Sequence, residues 1–385
     1  MKLLIIVGKI WPQPGNNTNL MMKLLPYLEP HAEIRILSTA TEAAPSPEAS
    51  VCFGKPVFHI REKENSVVRR YAYRAIASVM DQNGVADTYT VQLLRAEMKR
   101  IHKEFPFDSI LACVEPFSAA CALALWSGKA RKTVYFMDPT VYQNSTLKYR
   151  EKMLPRILSS SDLVLTTPFI QAAMRKAEPQ AAGNQIAQVG FPMICRNMPA
   201  RTAAPQGKVR LLYCGWLYSD IRSPKYFLDI VFRLDERFEV TFMGRECELL
   251  QERFPIKTKA TLITLPNQPY DVALQAMADA DVLINIGNSV PVHMPSKTLE
   301  YINTGKPMVN FYKFADCPTL YYTKRYPLAL NLFEEEKDTD AAAARFVRFC
   351  EETIGKTVDH DWIETEFADC TPQYIAQKIL DSLEN

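Results

Sequence analysis

Histidine is scarce in this chain, with 5 among 385 residues, and no HExxH pattern brings two of them onto one helical face, which argues against a catalytic metal site. The 9 cysteines are odd in number, scattered, and form no CxxC pair. A disulfide framework or structural zinc is therefore not expected, and a reducing compartment suits the chain better. Long apolar runs are missing too. Nothing reaches the roughly 18–20 residues of a membrane-spanning helix. The apolar run that opens MKLLIIVGKIWP is shorter than the core of a secretion signal, so it reads as a buried first strand. The expectation is a soluble, cytoplasmic protein. Charge of one sign is lacking as well: a formal net charge of +2 builds no strong cationic field, so nucleic acid is not an expected partner. Neither an internal repeat of about 20–50 residues nor a low-complexity tract is present.

What remains is a chain with 48% apolar and 23% charged residues, the mix of a globular protein. Its length suits two domains of roughly 150–200 residues each. Short apolar runs alternate with amphipathic stretches, the signature of βαβ units and a parallel sheet. The first series of strands is expected at Leu3–Val7, Ile34–Leu37, Ile110–Val114, Thr133–Met137 and Leu163–Thr167. Helices such as Asn19–Leu28 and Ala119–Trp126 lie between them, with Asn16, Asn17 and Thr18 offering N-cap chemistry to the first. The polar, Pro/Ala-rich stretch Ser38–Pro56 reads as a loop.

A second series follows a Pro- and Gly-containing stretch at Asn197–Lys208. Its strands are expected at Val209–Cys214, Phe238–Met243, Leu262–Leu265, Val282–Ile286 and Met308–Phe311, with helices at Pro224–Asp235, Cys247–Phe254, Pro269–Ala278 and Ser296–Asn303. Ser223 and Pro224 look like an N-cap and first helical residue. The expected organisation is a Rossmann-like domain over residues 1–198, a second over 199–365, and a C-terminal helix within 366–385 that packs back on the first. The fold class is α/β: two doubly wound domains facing a cleft, with ligand bound at the carboxyl ends of the strands.

The loop after the expected strand Val282–Ile286 leads into PSKTLEYINTGKP, residues 295–307. A helix beginning near Pro295 would present the N–H groups of Ser296, Lys297 and Thr298 unpaired to an anion. Lys297 adds charge, Ser296 and Thr298 add hydroxyls, and Glu300 lies one turn on, where a carboxylate can accept both hydroxyls of a ribose. Gly305 reads as the residue that ends this helix, and Pro307 prevents its continuation. The same pattern also fits an ordinary capped helix with Glu300 as a surface charge.

The string PSKTLEYINTGKPMV resembles the donor-binding segment of family 4-type GT-B glycosyltransferases, in which P-S-K-x-x-E-Y-x-x-x-G-K-P recurs in the second domain. A weaker resemblance covers most of that domain. It implies a nucleotide-sugar donor, with Glu300 on the nucleotide ribose and Ser296, Lys297 and Thr298 on the diphosphate. Relatives often carry a glutamate eight residues before this one; here Val292 stands there, and His293 is a nearby candidate for sugar contact. Relatives also show an arginine after the first strand's glycine and a lysine at the next helix start. Trp216 occupies the arginine position, leaving Arg222 and Lys225 as the candidate cations. Fixed cations there would stabilise a leaving diphosphate without a metal or other cofactor.

Other candidates follow from the same reasoning. Asn267, in the loop Pro266–Tyr270, could read a nucleobase edge; Tyr270 could stack on it or simply pack; Arg245, after Gly244, could meet phosphate or sugar. In the first domain, Gly15 permits close backbone approach and Asn17 offers sugar-type hydrogen bonding. Asp138 follows a strand and stands either near the donor sugar and acceptor hydroxyl or as a turn cap before Pro139. Glu115 and His59 are weaker alternatives, and Asp279–Asp281 looks structural despite its D-x-D form. Basic clusters at Arg61–Arg74 and Arg95–Lys103 suit either a solvated face or peripheral contact with an acidic membrane. The expected function is transfer of a hexosyl-type group from a nucleoside diphosphate sugar to a glycan or lipid-linked acceptor hydroxyl. Retention of configuration is implied by the resemblance, and a place in polysaccharide or glycolipid synthesis by the habits of the family. A UDP-sugar 2-epimerase-like isomerase and a non-catalytic nucleotide-sugar-binding partner remain as alternatives.

Overall fold

The computed structural model describes residues 1–10, 15–41, 51–52, 54–60, 82–139, 148–177, 185–202, 207–217 and 221–384. They fall into two units, Met1–Pro192 with Asp369–Asn385, and Met193–Ala368. Each unit is built around its own largely parallel sheet. The boundaries lie a few residues from those expected near 198 and 366. The expected basic cluster at 61–74 lies outside the described residues.

The first sheet contains β1 (Lys2–Val7), β2 (Glu33–Thr41), β3 (Val51–Cys52), β4 (Lys55–Ile60), β5 (Ser109–Val114), β6 (Arg131–Phe136), β7 (Leu163–Thr166) and β8 (Gln185–Gln188). Its order is β3-β4-β2-β1-β5-β6-β7-β8, and only the short β3 runs antiparallel. Strand β5 is buried along its whole length, as a parallel strand covered on both faces must be. The expected loop at 38–56 is partly sheet. Strand β2 continues through Thr41, because Ser38 pairs in register with Val7 and its hydroxyl donates to the Gly8 carbonyl at 3.0 Å, so a polar residue is satisfied inside the ladder. The expected helix at 19–28 is two pieces, Asn16–Met22 and Leu25–Leu28. Pro26 has no N–H to return to residue 22, and Lys23 and Leu24 close tighter turns onto Leu20 and Met21. The N-cap is Gly15, with no side-chain cap.

The C-terminal helix Pro372–Glu384 belongs to this first unit. Ile375, Ala376, Ile379 and Leu380 are buried, at the spacing of one helical face. The N–H of Gly190 donates to the carbonyl of Asp369 at 2.8 Å, fastening the returning segment beside the end of β8.

The second sheet contains β9 (Val209–Cys214), β10 (Phe238–Met243), β11 (Thr261–Leu265), β12 (Val282–Ile286), β13 (Met308–Tyr312) and β14 (Ala329–Phe333), in the order β11-β10-β9-β12-β13-β14. The chain builds outward from β9 in one direction and then from β12 in the other, so a topological switch falls between these two strands. Phe227, Phe242, Phe311 and Phe346 meet over one face, with ring centroids 5.2–6.4 Å apart. Each such burial stabilises by about 1.5–3 kcal/mol. A polar row crosses the sheet at fixed register. Asn285 donates to Asn310 at 2.7 Å, Asn310 donates to Asn331 at 2.8 Å, and the Thr323 hydroxyl donates to Asn331 at 2.6 Å. The two asparagine pairs are the same partners that the ladders place opposite one another, and Thr323 reaches the row from the helix Pro318–Thr323.

The expected D-x-D pair is occupied structurally. Asp281 accepts from the Arg210 N–H at 2.9 Å and pairs with Arg201 at 2.8 Å, while Asp279 accepts from the Thr202 N–H at 2.7 Å. Lys306 donates to the Ala280 carbonyl at 2.7 Å, a cation at the end of the helix Tyr270–Asp279. Arg95–Lys103 lies in the helix Gln82–Glu104, where Arg100 pairs with Glu97 at 2.6 Å. Among the described residues, no helix is long and apolar enough to cross a membrane, and no group of three or more His, Cys, Asp or Glu side chains is placed to hold a metal.

Candidate functional site

Strands β9 and β12 pair only at Leu211–Val282 and Leu212–Leu283. Beyond that they splay, and the backbone of Cys214 loses its neighbour on that side. The phenol of Tyr301 replaces it, accepting from the Cys214 N–H at 2.8 Å and donating to its carbonyl at 3.1 Å. The short helix Lys297–Asn303 is thereby fixed at the open end of the switch point. Gly305 ends it with φ of +72°, and a Cβ there would come within 2.7 Å of the Val358 carbonyl. No other residue ends this helix so readily.

The helix starts at Lys297, two residues later than the expected Pro295. Of the three N–H groups the sequence suggests are unpaired, that of Thr298 is already bonded. The Thr298 N–H donates to the Pro295 carbonyl at 3.1 Å, a tightened opening turn. The Thr298 side chain is fully buried with no hydrogen-bond partner for its hydroxyl. The hydroxyl is thus a buried polar group still without a partner. Ser296 is half-buried, and its carbonyl accepts from Leu299 and Glu300.

Glu300 is only 4% exposed, so it is not a solvated surface charge. It forms an ion pair with Lys297. Burial works against the Lys297 ammonium, but attraction to Glu300 outweighs it, and the lysine pKa stands above its usual range. The Tyr270 phenol lies against the same carboxylate and against Asn197. Burial of that hydroxyl, reinforced by the Glu300 charge, holds its pKa well above the usual tyrosine value, although nearly half the residue is exposed. The contact of Tyr270 with Glu300 spans 30 positions and left no local trace in the sequence. Because Lys297 and Glu300 neutralise each other, positive charge for a diphosphate must come from elsewhere.

Arg222 is tied in by a residue the sequence did not single out. Asn288, 1% exposed, accepts from Arg222 Nε at 3.0 Å and Nη2 at 2.8 Å, and donates to the His293 carbonyl at 2.9 Å. The Ser289 N–H donates to the Ile221 carbonyl at 2.7 Å. The loop after β12 and the loop before the helix Lys225–Val231 therefore form one piece, which brings Arg222 and His293 together. That helix begins one residue later than Ser223-Pro224 suggests: Pro224 is the N-cap, and the Ser223 hydroxyl accepts from the Lys225 N–H at 3.4 Å. Lys225 is exposed at its first position, with no ion pair to a described residue. Asn267 is exposed after the edge strand β11 and makes no hydrogen bond to this group.

In the first unit, the structure joins two expected residues across 121 positions: Asn17 Nδ2 donates to Asp138 Oδ2 at 2.6 Å. Gly15 supports them by starting the helix that carries Asn17, its N–H bonded to the Lys9 carbonyl at 2.9 Å. Glu115 is engaged otherwise, in an ion pair with Arg150 at 2.8 Å, and His59 is buried within β4.

No protein-family model matches the chain, and no curated protein matches it. Solved structures do. The lipopolysaccharide outer core galactosyltransferase WaaB, in its apo form, superposes with a TM-score of 0.63 at 12% identity over 100% of this chain and 99% of that one. A trehalose-6-phosphate structure from E. coli bound with UDP-2-fluoro glucose gives 0.65 at 12% identity, over 100% of this chain and 99% of that one. The UDP-GlcNAc 2-epimerase from Methanocaldococcus jannaschii gives 0.59 at 10% identity, over 99% of both chains. At such identities the likeness is one of fold: two Rossmann-like α/β domains of the GT-B kind.

Proposed function

We propose that this chain is a glycosyltransferase that moves a hexosyl-type group from a nucleoside diphosphate sugar to an acceptor hydroxyl, with retention of configuration. The observation that carries the reading is the buried Glu300, paired with Lys297 at the splayed end of β9 and β12. Lys297 and the Tyr270 phenol hold this carboxylate at the switch point, where its remaining acceptor capacity can take hydroxyl donors. A ribose with two adjacent hydroxyls uses both oxygens at once. WaaB and the UDP-2-fluoro glucose complex share the fold and bear on the choice of donor by analogy alone.

In this reading Glu300 holds the ribose, while Ser296 and the Arg222–Asn288–His293 group face the diphosphate and sugar. Lys225 adds mobile charge. The bond from the anomeric carbon to the β-phosphate oxygen breaks with its electron pair left on phosphate, where the cations stabilise it. The acceptor oxygen bonds to the anomeric carbon on the face from which the phosphate departs, which keeps the configuration, and its proton passes to the Asp138 carboxylate. Asp138, oriented by Asn17, is assigned to the acceptor hydroxyl. No metal is required by this scheme. A glycan or lipid-linked acceptor and peripheral membrane contact at the cytoplasmic face complete the proposal.

Calorimetric titration with UDP, GDP and dTDP tests it, followed by product analysis with the sugar donors of whichever nucleotide binds. A diphosphate that binds wild type and loses at least about tenfold in affinity on Glu300→Ala supports the reading. Absence of binding by all three sinks it. Release of an epimerised nucleotide sugar, with no transfer, would move the chain to the isomerase chemistry of a fold neighbour.

A further inference from the structure

The loops after β9 and β10 are locked together before either reaches solvent. The Gly215 N–H donates to the Met243 carbonyl at 2.9 Å, and the Leu217 N–H donates to the Arg245 carbonyl at 3.1 Å. Gly244 has φ of +136°, and a Cβ on it would lie 2.0 Å from the Gly215 carbonyl oxygen. Only glycine permits that approach. The lock sets Trp216, which follows β9, beside Arg245, which follows β10.

Trp216 is held at both ends. Its indole N–H donates to Glu246 Oε1 at 3.1 Å, and its carbonyl accepts from Arg222 Nη1 at 3.3 Å. The other oxygen of Glu246 pairs with Arg253 at 2.6 Å. The carboxylate nearest to Arg245 is thus already engaged. The Arg245 guanidinium lies 3.9 Å from the centroid of the Trp216 ring, exposed, and makes no hydrogen bond or ion pair to any described residue. Arg222 is similar in charge balance, because its hydrogen-bond partners, the Asn288 amide oxygen, the Trp216 carbonyl and the Tyr213 phenol, are neutral. Two arginines that form no ion pair with a described residue therefore border one tryptophan at the carboxyl edge of the sheet, next to the switch point; Glu246 lies within electrostatic reach of Arg245 but is bonded to Trp216 and Arg253. Stacking holds Arg245 in place without consuming its five N–H donors.

We propose that Trp216 is a platform that presents Arg222 and Arg245 as a two-arginine clamp for the diphosphate of the donor. This rests on the nucleotide-sugar reading and assigns its charge: Lys297 is neutralised by Glu300, so the pair around Trp216 carries the positive charge the anion meets. An arginine is not missing at position 216; the neighbouring strand supplies it across the tryptophan. The ligand class is a diphosphate, whose two phosphoryl groups can engage both guanidinium groups, rather than a monophosphate.

Calorimetry in metal-free buffer distinguishes the possibilities, using UDP, GDP and dTDP, their monophosphates, and inorganic pyrophosphate. Arg245→Gln is expected to weaken the diphosphate and pyrophosphate by about tenfold or more, and the monophosphate much less. Trp216→Leu is expected to do the same, and Trp216→Phe to recover most of the loss because the ring is kept. The exposed Arg245 side chain makes no hydrogen bond or ion pair to a described residue, and its backbone bond to Leu217 survives substitution, so its variant should melt with wild type. If wild type binds a nucleoside diphosphate and Arg245→Gln binds it equally well, the clamp is wrong and the donor reading survives. If wild type binds pyrophosphate through Arg245 but none of the nucleotides, the clamp stands and the donor reading falls. Binding of neither overturns both.

Discussion

The phenol of Tyr301 bonds both backbone groups of Cys214, so one hydroxyl closes a gap in the sheet and positions the helix that carries Glu300. Tyr301→Phe would leave a buried N–H and carbonyl without partners. The expected cost is about 1–3 kcal/mol in urea unfolding, together with weaker nucleotide binding by the folded fraction. A variant that loses stability but binds nucleotide at wild-type strength would mean that packing alone seats the helix.

The Lys297–Glu300 pair makes a pH prediction. The folded-state pKa of Lys297 lies above its ordinary 10.5, so its contribution to stability is complete below that value and fades as pH rises through the raised one. The stability gap between wild type and Lys297→Met should therefore be constant from neutral pH to about 10 and narrow above 10.5, read by urea unfolding. A gap that stays constant into strong alkali would mean that the ion pair contributes nothing.

Asn310→Leu tests the asparagine row. Asn310 is fully buried and bonded on both sides, so the variant strands the Asn285 amide and leaves Asn331 with Thr323 as its donor. A loss of about 2–4 kcal/mol is expected, with nucleotide affinity of the folded protein unchanged. A stabilised variant would show that the row costs more to bury than its bonds return.

Asp138→Asn and Asn17→Ala separate binding from turnover. Both should leave nucleotide affinity within about twofold. Transfer should fall by about 10²-fold or more for Asp138→Asn if the carboxylate takes the acceptor's proton, and by about tenfold for Asn17→Ala. Full activity in Asp138→Asn would reduce Asp138 to a turn residue.

Much of the fold is legible in the sequence because central parallel strands are apolar on both faces. Strands β9, β10 and β12 match their expected limits of Val209–Cys214, Phe238–Met243 and Val282–Ile286. The strands that escape notice, β3, β4, β8 and β14, lie at or beside sheet edges. There exposure tolerates Lys55 and Pro56, Gln188, or a short run such as Ala329–Phe333. Contacts in the candidate site are legible where spacing on one helix decides them, as with Lys297 and Glu300. It is silent where tertiary contact decides: Asn288 under Arg222, Tyr270 on Glu300, and Arg245 on Trp216 are all joined through folding rather than through neighbourhood in the chain.

The return of Asp369–Asn385 to the first unit has a consequence for biosynthesis. A ribosome releases the whole of Met193–Ala368 before it delivers the helix that buries Ile375 and Ile379. The unit begun first is thus completed last, with the second unit free to fold while the first still waits for its closing helix. An early stop codon just after position 368 would therefore damage the amino-terminal half of the protein, which lies far upstream of the lesion in the message.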